Sequence, residues 1–326
     1  MARLQVLLAA LCFGTTGTAQ ALGPDGTSAV TVGAARIAVG AVLLLAVQRI
    51  AARRRRPRAP GGWARRGGQA RAARDQRRDR GGAGGAATWP LRAVALGALG
   101  VAGYQLCFFA AVKDTGVAVG TVVALGSAPA LAGLGSWLID RTLPQRAWAI
   151  ATGLACVGVA LLATSGHGGD SHVSPAGILL ALGAGASYAV FTLASKRLLD
   201  QGHQVEPVMA RLFGLGAILL SPVLLLGDAS WLATPAGAAT ALWLGAVPTA
   251  LAYILFASGL RHLPAGEVAT LTLAEPVTAA LLGALVLAER PGPTAVAGMV
   301  IILAGLAVLA APNAPSAPAT LEEAPA

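Results

Sequence analysis

Apolar residues in this chain come in ten blocks, each 18 to 25 positions long and separated by polar stretches that are short except for residues 48–92. They run over residues 4–22, 29–47, 93–112, 117–139, 147–164, 177–195, 208–227, 236–260, 268–288 and 294–311. A helix needs roughly 20 residues to cross the hydrocarbon core of a bilayer, so every block is of spanning length. In lipid the backbone must satisfy its own hydrogen bonds, which turns long apolar runs into helices despite their glycine content. A membrane barrel would need alternating segments of about ten residues, and these are absent.

The blocks also repeat. Ser127-Ala-Pro129-Ala-Leu131 faces Ala274-Glu-Pro276-Val-Thr278, and Gly158-Val-Ala-Leu-Leu-Ala faces Gly305-Leu-Ala-Val-Leu-Ala, both at an offset of 147. Arg36 corresponds to Arg211 at 175, residues 8–14 to 179–185 at 171, and Tyr104 with Phe108 to Tyr253 with Phe256 at 149 and 148. The chain therefore reads as one unit written twice: residues 1–165 form a first five-helix repeat, 166–311 a second, and 312–326 a disordered tail. An odd number of spans per copy makes the copies cross in opposite directions. The expected fold is an all-α integral membrane protein, with ten transmembrane helices in two inverted five-helix repeats. A cleavable leader at the first block is disfavoured, because that block has its internal match in the sixth.

Composition agrees: 56% of residues are hydrophobic, mean hydropathy is +0.69 and 12% are charged, against about a quarter charged in soluble domains. A pI near 10.9 suggests nucleic acid until the charge is located. Residues 53–80 hold 12 Arg and 2 Asp, a net +10 that equals the formal charge of the whole chain. This segment, within a loop over 51–90, has little to bury and reads as disordered and cytoplasmic, held against anionic lipid rather than nucleic acid. With that loop inside, Arg3, Arg141, Arg146, Lys196, Arg197 and Arg261 also fall inside and only Lys113 and Arg290 outside. Both termini are then cytoplasmic, in the plasma membrane.

The proline in the fourth span of each copy and the Glu289-Arg290 pair closing the ninth resemble the EamA-type transporters of the drug/metabolite transporter superfamily. There the fourth helix of a repeat ends in a Gly-Glu-Arg-Leu-like motif after a mid-helix proline. The second copy fits, with Glu275-Pro276-Val277 and then Glu289-Arg290; the first departs, because Thr142 stands thirteen residues after Pro129 and the nearest acid is Asp140. The resemblance implies a secondary transporter exporting a small metabolite, such as an amino acid or derivative, by alternating access. It implies no enzyme activity and no cofactor.

Candidate site residues follow from what is expensive to bury. Arg36, Arg211 and Glu275 are the charges inside the spans, each costing about 2.5 to 3.5 kcal/mol at mid-depth on insertion scales. Glu275 shares a helical row with Thr272 and Thr278. One reading has it bind a substrate amine or carry a coupled proton; the other has it pair with Arg36 or Arg211, or cap backbone freed by Pro276. Arg36 suits a substrate carboxylate or an ion pair, and Arg211 can snorkel to the inner surface. Thr15, Thr16, Tyr104, Gln105, Tyr188, Thr192 and Tyr253 supply uncharged polar groups for a central cavity at the repeat interface. Pro129 and Pro276 are expected to kink their helices and act as hinges.

Other features change little. Cys12, Cys107 and Cys156 are spaced like no metal site, and His167, Asp170 and His172 read as a polar turn rather than a metal centre. No phosphate-cradling Gly-Lys-Ser/Thr loop appears. An integral-membrane enzyme would want a nucleophile with its base or paired acids within the spans, and a non-transporting scaffold would want Glu275 and Arg36 fully paired. No motif specifies substrate, coupling ion, direction or oligomeric state.

Overall fold

The computed structural model describes residues 1–55, 89–141, 145–164 and 174–311. Among them are ten apolar helices of spanning length: α1 (Ala2–Ala21), α2 (Ala29–Arg55), α3 (Leu91–Gly116), α4 (Val119–Asp140), α5 (Arg146–Thr164), α6 (Pro175–Asp200), α7 (Val205–Leu226), α8 (Pro235–Leu260), α9 (Ala265–Val286) and α10 (Pro293–Ala310). Each block read from hydropathy becomes one of these helices. The largest change is in α2, which runs on to Arg55 because arginine is a good helix former whose stem keeps its charge in water. Most of the basic loop, the turn with His167, Asp170 and His172, and the tail from Pro312 lie outside the described residues.

Side chains sort by the logic of lipid. Large apolar groups such as Leu225 and Leu285, each 81% exposed, point outward, while the interior is dense in alanine. Without a hydrophobic force to draw helices together, close backbone approach through small residues supplies the contact.

The contacts obey the duplication. At the α5·α10 crossing Gly158 lies on Gly298 and Ile302, and Gly305 lies on Ala151 and Ala155; adding 147 to one set gives the other. The left-handed residues ending α4 and α9, Arg141 and Ala288, both at φ 57°, are also 147 apart. Gly40 of α2 packs on Thr249 of α8, and Gly216 of α7 packs on Val101 of α3, so these partners exchange as well. The symmetry slips at one place. Gly14 of α1 rests on Glu275 and Thr278, whereas Gly185 of α6 rests on Ala124 and Ser127, an offset of 151 and so one helical turn off.

Two spans are interrupted, and proline explains both. In α8, Ala246–Leu251 forms a π-helical turn. Pro248 has no N–H for the Leu244 carbonyl, and the buried Thr249 hydroxyl donates to it instead, at 2.8 Å. In α9 the helix stops at Leu271 and resumes at Ala274. Pro276 cannot donate to the Thr272 carbonyl, so the turn tightens: Glu275 N–H donates to Thr272 O at 2.9 Å and Leu273 N–H to Thr270 O at 3.0 Å. The Ala269 carbonyl freed in this way accepts from the Thr272 hydroxyl at 2.7 Å. By contrast α4 keeps helical φ/ψ through Pro129; the one non-helical residue in Leu91–Asp140 is Gly116 (φ 80°, ψ 161°), in a region open to glycine.

Thr249→Val keeps the shape packed on Gly40 but removes the hydroxyl that bonds the Leu244 carbonyl. It is expected to cost about 0.5–1.5 kcal/mol, read as a lower thermal midpoint in detergent. An unchanged midpoint would mean that this hydroxyl does not hold the turn.

Ion pairs between the repeats sit at one end of the bundle. Arg3 of α1 meets Glu267 of α9 at 2.7 Å and also donates to Ala310 O of α10, and Arg55 of α2 meets Glu206 of α7 at 3.0 Å. Arg3 and Arg55 are exposed enough for solvent to screen them, so Arg3→Gln is expected to shift stability by about 0–1 kcal/mol. The same melting assay at low and high salt checks this.

Candidate functional site

The seam between the repeats is lined by aromatic rings carried on helices of both copies. Tyr104 and Gln105 come from α3, Tyr188 from α6 and Tyr253 from α8, and all four face one cavity, which Ile37, Phe191 and Phe213 also wall. Tyr104 and Phe108 stack at 5.6 Å, one turn apart, and Tyr253 lies 4.4 Å from Phe213 and 5.0 Å from Phe13. These rings fill most of the space. The cavity measures about 10 Å³, which is room for about one water molecule. The central cavity expected from sequence is therefore narrow in this conformation, with room for little more than a water molecule.

The interrupted α9 delivers its polar groups to this seam. Thr272, at the break, exchanges a 3.1 Å hydrogen bond with the Tyr188 hydroxyl, which ties the break to α6. Glu275 is partly buried just beyond the break, with its backbone against Gly14 of α1. Glu275 acts electrostatically on Tyr104, Tyr188 and Tyr253, and Arg36 of α2 acts on Tyr104, Tyr253 and Glu275. Glu275, Arg36, Tyr104, Gln105, Tyr188, Tyr253 and Thr272 thus gather in one region.

The remaining candidates lie elsewhere or are otherwise engaged. The Thr15 and Thr16 hydroxyls bond back to Cys12 O and Phe13 O within their own helix, at 2.7 and 2.6 Å, and Thr15 also accepts from the Trp243 indole at 3.4 Å. Thr192 is fully buried and bonds to Tyr188 O, so it braces the helix that carries Tyr188. Arg211 is separated from its sequence counterpart Arg36. Its guanidinium lies 3.6 Å above the Trp89 ring, beside a lipid-facing hollow of about 300 Å³ also walled by Leu91, Val94 and Leu215. Among the described residues that line it there is no acid. Pro276 sits at the break in α9; Pro129 lies within continuous helix.

Sequence reasoning missed Phe191 and Phe213, whose rings meet edge to face at 5.8 Å, and the π turn in α8. A phenylalanine inside an apolar span carries no signal of its own. Pro248 followed by Thr249 did carry one, the same loss of a backbone donor that drew attention to Pro129 and Pro276.

A bundle of ten spanning helices in two inverted halves, with charged and tyrosine-bearing groups at their seam, defines a polytopic membrane transporter architecture. The chain belongs to the EamA-like transporter family, whose sequence profile matches residues 1–164 and 175–311. It is 40% identical over 308 residues to the Bacillus subtilis (strain 168) protein named Uncharacterized transporter YwfM, covering 94% of this chain and 93% of that one. It is 34% identical over 139 residues to the threonine/homoserine exporter RhtA of Escherichia coli (strain K12), covering 41% of this chain and 45% of that protein. A solved crystal structure shares the fold at a TM-score of 0.73 and 20% identity, with 94% of this chain and 95% of that one covered.

Proposed function

We propose that the chain is a secondary transporter that exports an amino acid or derivative by alternating access. The observation that carries this reading is a narrow seam where three tyrosines from both repeats converge, with Arg36 and Glu275 near enough to act on them electrostatically. A solute held there is gated by relative motion of the halves. The naming of a partial relative as a threonine/homoserine exporter supports amino acids as the first substrates to try and export as the direction.

In this reading residues 1–165 and 166–311 are the two rocking units. The breaks at Thr249 and Thr272 serve as flexible points, with Pro276 as the hinge that α9 turns on; Pro129 keeps its place as a weaker candidate. Both termini face the cytoplasm at the plasma membrane, which puts the Arg3–Glu267 and Arg55–Glu206 pairs on the inner side. Protons are a candidate coupling ion.

The test is uptake into proteoliposomes containing the full-length protein, screened over amino acids, nucleobases and cationic drugs, with and without a proton gradient. Accumulation of an amino acid supports the reading; failure of all three classes with folded protein sinks it. Cysteine-accessibility mapping tests the topology. Residues placed at the Arg3 and Arg261 positions should label from the same side, and one at Lys113 from the other.

A further inference from the structure

Arg36 and Glu275 are opposite charges in one largely apolar region, and among the described residues neither has a counter-ion. The ion pairs among the described residues are Arg3–Glu267, Arg55–Glu206 and Lys196–Asp200. Among the described residues no opposite charge lies within 4.0 Å of Arg36 or of Glu275. Arg36 Nε is buried without a hydrogen-bond partner. Each side chain acts electrostatically on Tyr253, and Arg36 acts on Glu275, yet the two form no ion pair. Burying two charges of opposite sign is costly unless each is paired and hydrogen-bonded. A pair kept apart in the interior is therefore arranged for something that comes between its members.

Resting on the transporter reading, we infer that Arg36 and Glu275 form a two-point receptor for a zwitterion, the free α-amino acid, with Arg36 binding the carboxylate and Glu275 the ammonium. The chemistry excludes the neighbouring classes. A simple amine satisfies Glu275 and leaves the guanidinium bare, an organic anion satisfies Arg36 and adds repulsion at Glu275, and a neutral solute satisfies neither. A zwitterion neutralises both, and the planar guanidinium suits a carboxylate bidentately. Tyr104 and Tyr253 sit within the field of both charges and offer hydroxyls to the same ligand. The cavity wall adds apolar Ile37, Phe191 and Phe213 and the uncharged polar Gln105 and Tyr188, with no charged residue among them, so the receptor favours uncharged side chains over charged ones. The cavity of about 10 Å³ must open first. The interruptions lie where opening requires them: the π turn of α8 ends two residues before Tyr253, and the break in α9 is followed directly by Ala274 and Glu275.

The experiment is equilibrium binding to purified full-length protein in lipid nanodiscs. The probes are the proteinogenic amino acids, their carboxamides and their N-acetyl forms. Capping either end of a binding amino acid is expected to weaken it on the order of 10- to 100-fold, the loss of one charge-assisted bond. Arg36→Gln should lose a similar factor for the free amino acid and almost nothing for its carboxamide; Glu275→Gln should do likewise, sparing the N-acetyl form. Arg36→Lys, which keeps the charge and loses the fork, should fall between. If Arg36→Gln does not fold, the capped ligands on unaltered protein and the Arg36→Lys variant still decide. Equal binding of free and capped forms overturns the inference, and so does a variant that weakens capped and free forms alike. Amino-acid transport that does not depend on both charged ends of the substrate overturns it while leaving the transporter reading intact, and transport of nucleobases or cations with no amino acid bound overturns both. Amino-acid binding with no transport of any solute overturns the transporter reading alone.

Discussion

Glu275→Gln is expected to lower transport about tenfold or more and to remove whatever part of its pH dependence arises at this position. The substitution is nearly isosteric, and the contact that seats α1 on α9 runs through the Glu275 backbone carbonyl and Thr278, against Gly14. The fold should therefore survive. What is lost is the charge, and bonds to charged groups are worth about 1.5–3 kcal/mol, or a factor of roughly ten or more in rate when they form in the rate-limiting state. Glutamine neither takes up nor releases a proton, so a proton carried at this site has no substitute. Uptake into proteoliposomes measured from acid to alkaline pH, for Glu275→Gln and Glu275→Asp side by side, reads both effects. An unchanged rate and profile in Glu275→Gln would reduce the residue to a structural group beside Pro276.

Gly158→Leu should lower the thermal midpoint more than any other single change considered above. A Cβ at Gly158 would come within 2.6 Å of Gly298 O and of Ile302 Cγ1, and within 2.9 Å of Ile302 N. Two of these atoms are backbone, so no rotamer change relieves the clash and the α5·α10 crossing must open. Overpacking a tight interior typically costs about 1–3 kcal/mol, occasionally more, and here the contact is also one of those that join the two repeats. Gly153→Leu, in the same helix, is the control. Nothing lies within 4 Å of its added Cβ, so it should melt near the unaltered protein. Equal midpoints for the two variants would show that the crossing is looser than the geometry states.

The ten spans were legible because a membrane helix needs only length and hydropathy, and both are local properties. The duplication was legible too, and the reciprocal contacts of Gly158 and Gly305 agree with the offset of 147 read from sequence. Within the candidate site, intramembrane charge pointed to Arg36 and Glu275. It pointed equally to Arg211, which instead lies over Trp89 at the lipid surface. Thr15 and Thr16 were chosen as free hydroxyls, yet both return to carbonyls of their own helix; sequence cannot tell a hydroxyl offered to a ligand from one already used. Proline showed where a backbone donor is missing. It did not show that α9 would break before Pro276 while α4 stays helical through Pro129, because that depends on which neighbouring groups take up the freed carbonyls.

By itself, then, the sequence determined a membrane protein of ten helices in two related and opposed halves, since bilayer thickness and backbone hydrogen bonding leave an apolar chain no other form. Tertiary structure alone decided that Arg36 and Glu275 share a region without pairing, that Tyr188 holds Thr272 at the break in α9, and that aromatic rings close the space between the halves. These are relations among side chains on different helices, set by the rotation and register with which each span packs on the next, and hydropathy carries no record of either.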